Sequence, residues 1–153
     1  MQKKWKIMLE QGKRKFIWFE RIIKVFLPLG VVLSLISLYF TKNLIDLEVL
    51  LIYLIKILLI LLVGYLEGKL EWAFFQKIFG PDINTESDLS RRYVINKGVL
   101  TFGLPLGIVN FRVLNESFIL EYVRLSIWLV IGVFFGAILW KKNKNKIKDI
   151  IDH

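Results

Sequence analysis

VLLIYLIKILLILLVGYL, residues 49–66, is the stretch that decides the fold. Eighteen consecutive positions carry one charge, Lys56, and the apolar residues run on without alternating with polar ones. At 1.5 Å per residue an α-helix of this length reaches about 27 Å, close to the thickness of a bilayer's hydrocarbon core. In hydrocarbon every backbone amide and carbonyl must be bonded within its own segment, so a lone apolar run of this kind is a helix.

Three further blocks repeat the pattern. Residues 25–41 are uncharged between Lys24 and Lys42. Residues 98–111 are uncharged between Lys97 and Arg112, and the block lengthens back to Tyr93 if Lys97 snorkels. Residues 125–140 are uncharged between Arg124 and Lys141, and extend outward through Tyr122. The expectation is an all-α integral membrane bundle of four transmembrane helices, spanning about 25–41, 49–66, 93–111 and 122–140. The composition agrees: of 153 residues, 56% are hydrophobic and 14% aromatic. That excludes a disordered chain and argues against a soluble globule.

The charges give an orientation. The formal net charge is +9, with 22 Lys and Arg against 13 Asp and Glu. Eight cations lie in residues 1–24, five in 67–97 and five in 141–153. The two remaining connections hold only Lys42, Arg112 and Arg124. The excess of Lys and Arg on one set of loops predicts both termini in the cytoplasm of a cell (inner) membrane, with anionic headgroups as the neighbouring surface. The basic lead and apolar first block are not followed by a small-x-small cleavage site, which favours an uncleaved anchor. No reader motif accompanies the charge, so nucleic acid is not the expected partner.

Outside the spans, Trp5, Met8, Leu9, Gly12, Phe16, Phe19, Ile22, Ile23 and Phe26 recur at three- and four-residue steps among the cations. This predicts a basic amphipathic interfacial helix over 1–24, ahead of a transmembrane domain over 25–140. Residues 70–79, rich in Trp and Phe, are expected to lie on the inner leaflet within a cytoplasmic connection, 67–92, and to stop at Gly80-Pro81. Thr85 with Asp88 resembles a capping box that restarts a helix. Residues 141–153 form a basic cytoplasmic tail, a topology anchor on anionic lipid.

Several residues stand out within the spans. Gly64/Gly68, Gly103/Gly107 and Gly132/Gly136 are small residues four apart, the pattern that lets two helix backbones approach. The last two pairs suggest the third span packed on the fourth, or a dimer seam. Pro105 should kink the third span. Lys56, Asn110 and Glu121 are the intramembrane polar candidates, with Glu116 or Glu121 as expected partners of Lys56. Leu27-Pro28-Leu29-Gly30 returns as Leu104-Pro105-Leu106-Gly107, and Leu47-Glu48 as Leu120-Glu121, an echo that two tandem helical hairpins would produce.

Chemistry is thinly represented. There is no Cys, and the sole His is His153. No Gly-rich phosphate loop or metal-ligand spacing occurs, so no catalytic residue, cofactor or metal is assigned. Lys97-Gly98-Val99-Leu100, Gly103-Leu104-Pro105, Trp128, Gly132, Gly136 and Trp140 resemble a set of small four-span bacterial inner-membrane proteins, over the last third of the chain. The resemblance implies a bacterial membrane location and carries no activity. The expected role is a non-enzymatic accessory subunit, of immunity or regulatory type, that binds a membrane-protein partner or a second copy. The alternative is a small oligomeric transporter or pore using Lys56 and the span kinked at Pro105, with a holin-like lytic role behind it.

Overall fold

The computed structural model describes residues 9–10, 12–41, 47–79, 86–111 and 117–151. All of these are helical except Gly12, Phe111 and Ser117, so no strand occurs among the described residues. After residues 9–10, four helical runs follow one another among the described residues. Helix α1 covers 13–41, built without a break from Lys13–Lys15, a π-helical stretch Phe16–Phe26, and Leu27–Thr41. Helix α2 is Leu47–Phe79. Helix α3 covers 86–110: Glu86–Tyr93, a second π-helical stretch Val94–Gly103, and Leu104–Asn110. Helix α4 is Phe118–Ile151.

Three helices are long and apolar enough to cross a membrane: Lys13–Tyr39, Leu47–Phe79 and Phe118–Asn145. Helix α3 falls short of that measure, and its packing supplies the reason. It lies between α2 and α4, with Asn96, Gly98, Leu100, Gly103, Pro105, Gly107 and Val109 all buried. A helix shielded by its neighbours can carry Asn and Lys where an exposed span could not.

Neighbouring helices run antiparallel. Arg21 meets Glu67, Gly30 faces Ile60 and Ser37 reaches Tyr53, so residue numbers rise on α1 as they fall on α2. On α2 and α3 the ladder is Lys77 with Asp88, Lys97 with Glu71, and Lys56 with Val109. On α3 and α4 it is Tyr93 with Asn143, Gly98 with Gly132, and Gly107 with Leu125.

The two prolines share one solution. An interior proline clashes with the carbonyl four residues back. In α1 the amide of Leu27 bonds the carbonyl of Ile22, and in α3 that of Leu104 bonds Val99. Each is a five-residue step placed just before Pro28 or Pro105, widening the turn where the ring needs room. Because α1 begins at Lys13, Pro28 is interior and needs this relief.

The echo in the sequence has a structural counterpart. A shift of 77 residues carries α1 onto α3, and one of 68 carries α2 onto α4. Under these shifts Phe16 on Trp72 (ring centroids 6.0 Å apart) becomes Tyr93 on Trp140 (5.5 Å). Gly68 against Ile17 and Arg21 becomes Gly136 against Val94 and Gly98. Gly64 against Phe26 becomes Gly132 against Gly103, and Gly30 against Ile60 becomes Gly107 against Trp128. The chain is therefore two hairpins, α1–α2 and α3–α4, built on one plan. The second-helix shift is 68 and not the 73 suggested by Leu47-Glu48 and Leu120-Glu121.

Three expectations about the segments outside the spans change. Residues 13–24 are the first turns of α1, not a separate helix, and the buried positions of the π-helical stretch fall at 16–17, 21–22 and 26. That spacing near five follows the π-helical turn, so Ile17 turns inward while Phe19 and Ile23 are exposed. Trp5 and Met8 lie outside the described residues, as do Gly80, Pro81 and Thr85. Residues 70–79 continue α2, and their aromatic rings are covered by protein: Trp72 and Phe75 pack on Phe16, Ile17 and Ile22. The described part of the basic tail continues α4 through Ile151. There Ile147 is buried with Phe74, Ile78, Leu89 and Tyr93, and Asn143 donates to the Tyr93 hydroxyl at 3.1 Å. At 33 and 34 residues, α2 and α4 are about 50 Å long and overreach a 30 Å core by several turns. The excess forms this apolar knot.

Candidate functional site

The strongest concentration of chemistry is a buried charge cluster where α1, α2 and α3 meet. Glu67 and Glu71 are one helical turn apart on α2, on the face that also carries Gly64 and Gly68. Both carboxylates are almost wholly enclosed, Glu67 at 0% and Glu71 at 2% exposure. Each first helix of a hairpin brings one cation to them. From α1, Arg21 donates Nε to Glu67 Oε2 at 2.7 Å, and its terminal nitrogen contacts both Glu67 and Glu71. From α3, the Lys97 ammonium donates to Glu71 at 2.8 Å and to Glu67 at 3.2 Å. The Thr101 hydroxyl lies 3.3 Å from Glu67 and 2.9 Å from the carbonyl of Asn96, to which it donates.

Two cations face two carboxylates, so the cluster is formally neutral. A carboxylate taken out of water with no partner costs several kcal/mol, which the fork of Arg21 and the ammonium of Lys97 offset here. The notches at Gly64 and Gly68 help to make the geometry possible. A Cβ on Gly68 would lie 3.3 Å from Arg21 Cγ, so a side chain there would press on the stem that passes to the acids. Glu67 and Glu71 lie 30 to 36 Å along the helix from Leu47, roughly one hydrocarbon thickness.

The cluster was not assembled from the sequence, where Arg21 counted as one surface cation among eight and Lys97 as a snorkelling flank. A signal existed. Two acids four apart at the end of an apolar block demand cations, and Arg21 interrupts an apolar run on the facing helix.

The residues singled out in the sequence fall elsewhere. Gly103, Gly107, Gly132 and Gly136 lie on the α3–α4 seam, joined by Gly98. A Cβ on Gly98 would sit 2.1 Å from the carbonyl oxygen of Gly132, so the two backbones are in direct contact. Lys56 is buried, donates to the Val109 carbonyl at 2.8 Å, and lies 5.0 Å from the ring centre of Tyr53. Val109 is in the last turn of α3, whose carbonyls lack helical donors and form the negative end of its dipole. Lys56 is thus a cap on α3. Glu116, one of its expected partners, lies outside the described residues. Glu121 is buried and accepts from Arg124 at 2.5 Å within α4. Asn110 is exposed and donates to the Leu106 carbonyl of its own helix. Asn110 and Lys56 thus both donate to carbonyls of α3, while Glu121 accepts from a residue of its own helix, α4.

No group of three or more His, Asp and Glu positioned to hold a metal ion occurs among the described residues. Compared with protein-family models, curated proteins and solved structures, the chain matches none.

Proposed function

We propose that this chain is a four-span subunit of a bacterial cell membrane, with both ends in the cytoplasm, acting as a non-enzymatic accessory protein through helix–helix contacts. The observation that carries the reading is the ladder between α2 and α3. These helices lie side by side from Lys77 and Asp88 at one end to Lys56 and Val109 at the other. If α2 crosses the bilayer, α3 crosses beside it, and the positive-inside count then applies to all four helices.

The role follows from where the polar groups go. Arg21, Lys97, Glu67 and Glu71 are engaged with one another, Lys56 caps α3, and Glu121 holds Arg124. A transporter needs such groups to converge on a shared wet path. The contacts of Arg21, Lys97 and Lys56 instead join α1 and α3 to α2, which supports a packing role. Outward, α1, α2 and α4 present Leu, Ile, Val and Phe, a surface suited to lipid and to the helices of a partner. The test is isolation of the tagged full-length chain from its own membranes in mild detergent. A polypeptide recovered in fixed ratio is the expected result. A chain recovered only with itself, and conducting ions or solutes in liposomes, would overturn the reading in favour of the pore.

A further inference from the structure

A groove of about 710 Å³ runs between the start of α1 and the middle of α2. Its floor is apolar: Ile17, Ile22, Leu61, Leu62 and Tyr65, with Trp18 at its side. Three cations, Lys13, Arg14 and Lys69, stand along the same groove, and no carboxylate lines it. The Lys69 ammonium lies 4.8 Å from the ring centre of Tyr65, which bridges the charged and apolar parts. The first turn of α1 also lines the groove. It starts after Gly12, with no side chain capping it, so the positive end of the helix dipole adds to the cations.

We infer that this groove binds one anionic phospholipid, its phosphate held by Lys13, Arg14 and Lys69 and an acyl chain laid along Ile22, Leu61 and Leu62. The inference rests on the membrane reading above. The depth suits the ligand, because Lys69 lies about 33 Å along α2 from Leu47, level with an inner headgroup if Leu47 marks the outer one. The arrangement separates charge from grease along the groove in the order that a phospholipid does. A peptide partner would need donors and acceptors along its whole length. A free phosphate would leave the apolar floor uncovered. Basic pockets between transmembrane helices on the cytoplasmic side are suited to such headgroups.

The test uses the full-length protein in nanodiscs of phosphatidylcholine containing one tenth phosphatidylglycerol, released into native mass spectrometry. The wild-type chain should keep one phosphatidylglycerol. A variant carrying Lys13→Ala, Arg14→Ala and Lys69→Ala should keep it at least roughly tenfold less often, since each cation near the surface contributes to anion binding. A control carrying Lys141→Ala, Lys142→Ala and Lys144→Ala, which removes the same charge from two exposed positions and one half-buried position on α4, should retain it. Equal loss in both variants, or no retained lipid in the wild type, would overturn the groove. Flotation with pure phosphatidylcholine vesicles separates the two levels. A chain that floats but shows no preference sinks this inference alone, whereas one that stays in the aqueous layer sinks the membrane reading.

Discussion

The two hairpins share a plan and differ in what fills the seam. In α1–α2 the glycines of one helix receive side chains of the other: Phe26 against Gly64, and Ile17 and Arg21 against Gly68. In α3–α4 glycine meets glycine, and backbone touches backbone at Gly98, Gly103, Gly132 and Gly136. The 77-residue shift places Gly98 where the first hairpin has Arg21; the 68-residue shift places Phe135 and Leu139 where it has Glu67 and Glu71. The first hairpin is thus the charged one. In the second, Phe135 stacks on Phe102 with ring centroids 4.4 Å apart. One scaffold tolerates both chemistries because the notch that admits a guanidinium stem also admits a helix backbone. Lys97 then ties the dry hairpin to the charged one.

Mutations can break this comparison. The largest effect is expected from Glu67→Ala, which strands Arg21 and Lys97 beside a single carboxylate. Loss of one partner from a buried pair costs about 3–5 kcal/mol. An unfolding titration in mixed micelles, followed by Trp fluorescence, would measure it. The seams come next. Gly98→Ala should cost about 1–3 kcal/mol or more, because its Cβ meets a backbone oxygen that cannot step aside. Gly64→Ala would place its Cβ 2.5 Å from Cγ and 2.8 Å from Cβ of the fully buried Phe26, so it too should be costly, and the smaller of the two because a side chain and not a backbone oxygen must shift. Equal costs would mean that the two seams are not built differently.

Lys56→Met should cost about 1–2 kcal/mol, the scale of a cation at a partly buried helix C-terminus. Hydrogen exchange at the end of α3 should rise with it, and exchange elsewhere should not. The smallest effect concerns Asp88, whose carboxyl is held below its ordinary value of 3.8 by hydrogen bonds from Arg92 and then Lys77. A depressed carboxylate stabilises the fold above the unfolded value and loses that contribution as pH falls through the folded one. Asp88→Asn should therefore remove a slight acid-side loss of stability below about pH 4 while barely moving the unfolding midpoint at neutral pH. Acid titration of both forms would check it.

The apolar blocks of α1, α2 and α4 were plain in the sequence, because continuous apolar runs need no partner to be recognised. The hairpin echo was half legible. Leu-Pro-Leu-Gly marks both first helices, but connections of different length give the second helices another shift, which hides Trp72 and Trp140 as equivalents. The charge cluster was out of reach for two reasons. Its members on α1 and α2, Arg21 with Glu67 and Glu71, are 46 and 50 positions apart. The π-helical stretch also turns Arg21 inward, off the 3.6-residue pattern that leaves it among the outward cations. The third helix is expected over 93–111 only by letting Lys97 snorkel, whereas the structure holds Lys97 on the carboxylates of α2.

The path of α3 is therefore the decisive observable. The chain has no Cys, so a single thiol placed at Ser90, near the start of α3, or at Ser117, beyond its far end, is unique. In sealed, oriented vesicles an impermeant maleimide should label Ser90→Cys only from the face that bears the chain ends, and Ser117→Cys only from the opposite face. Labelling of both from one face would contradict the paired, four-span arrangement.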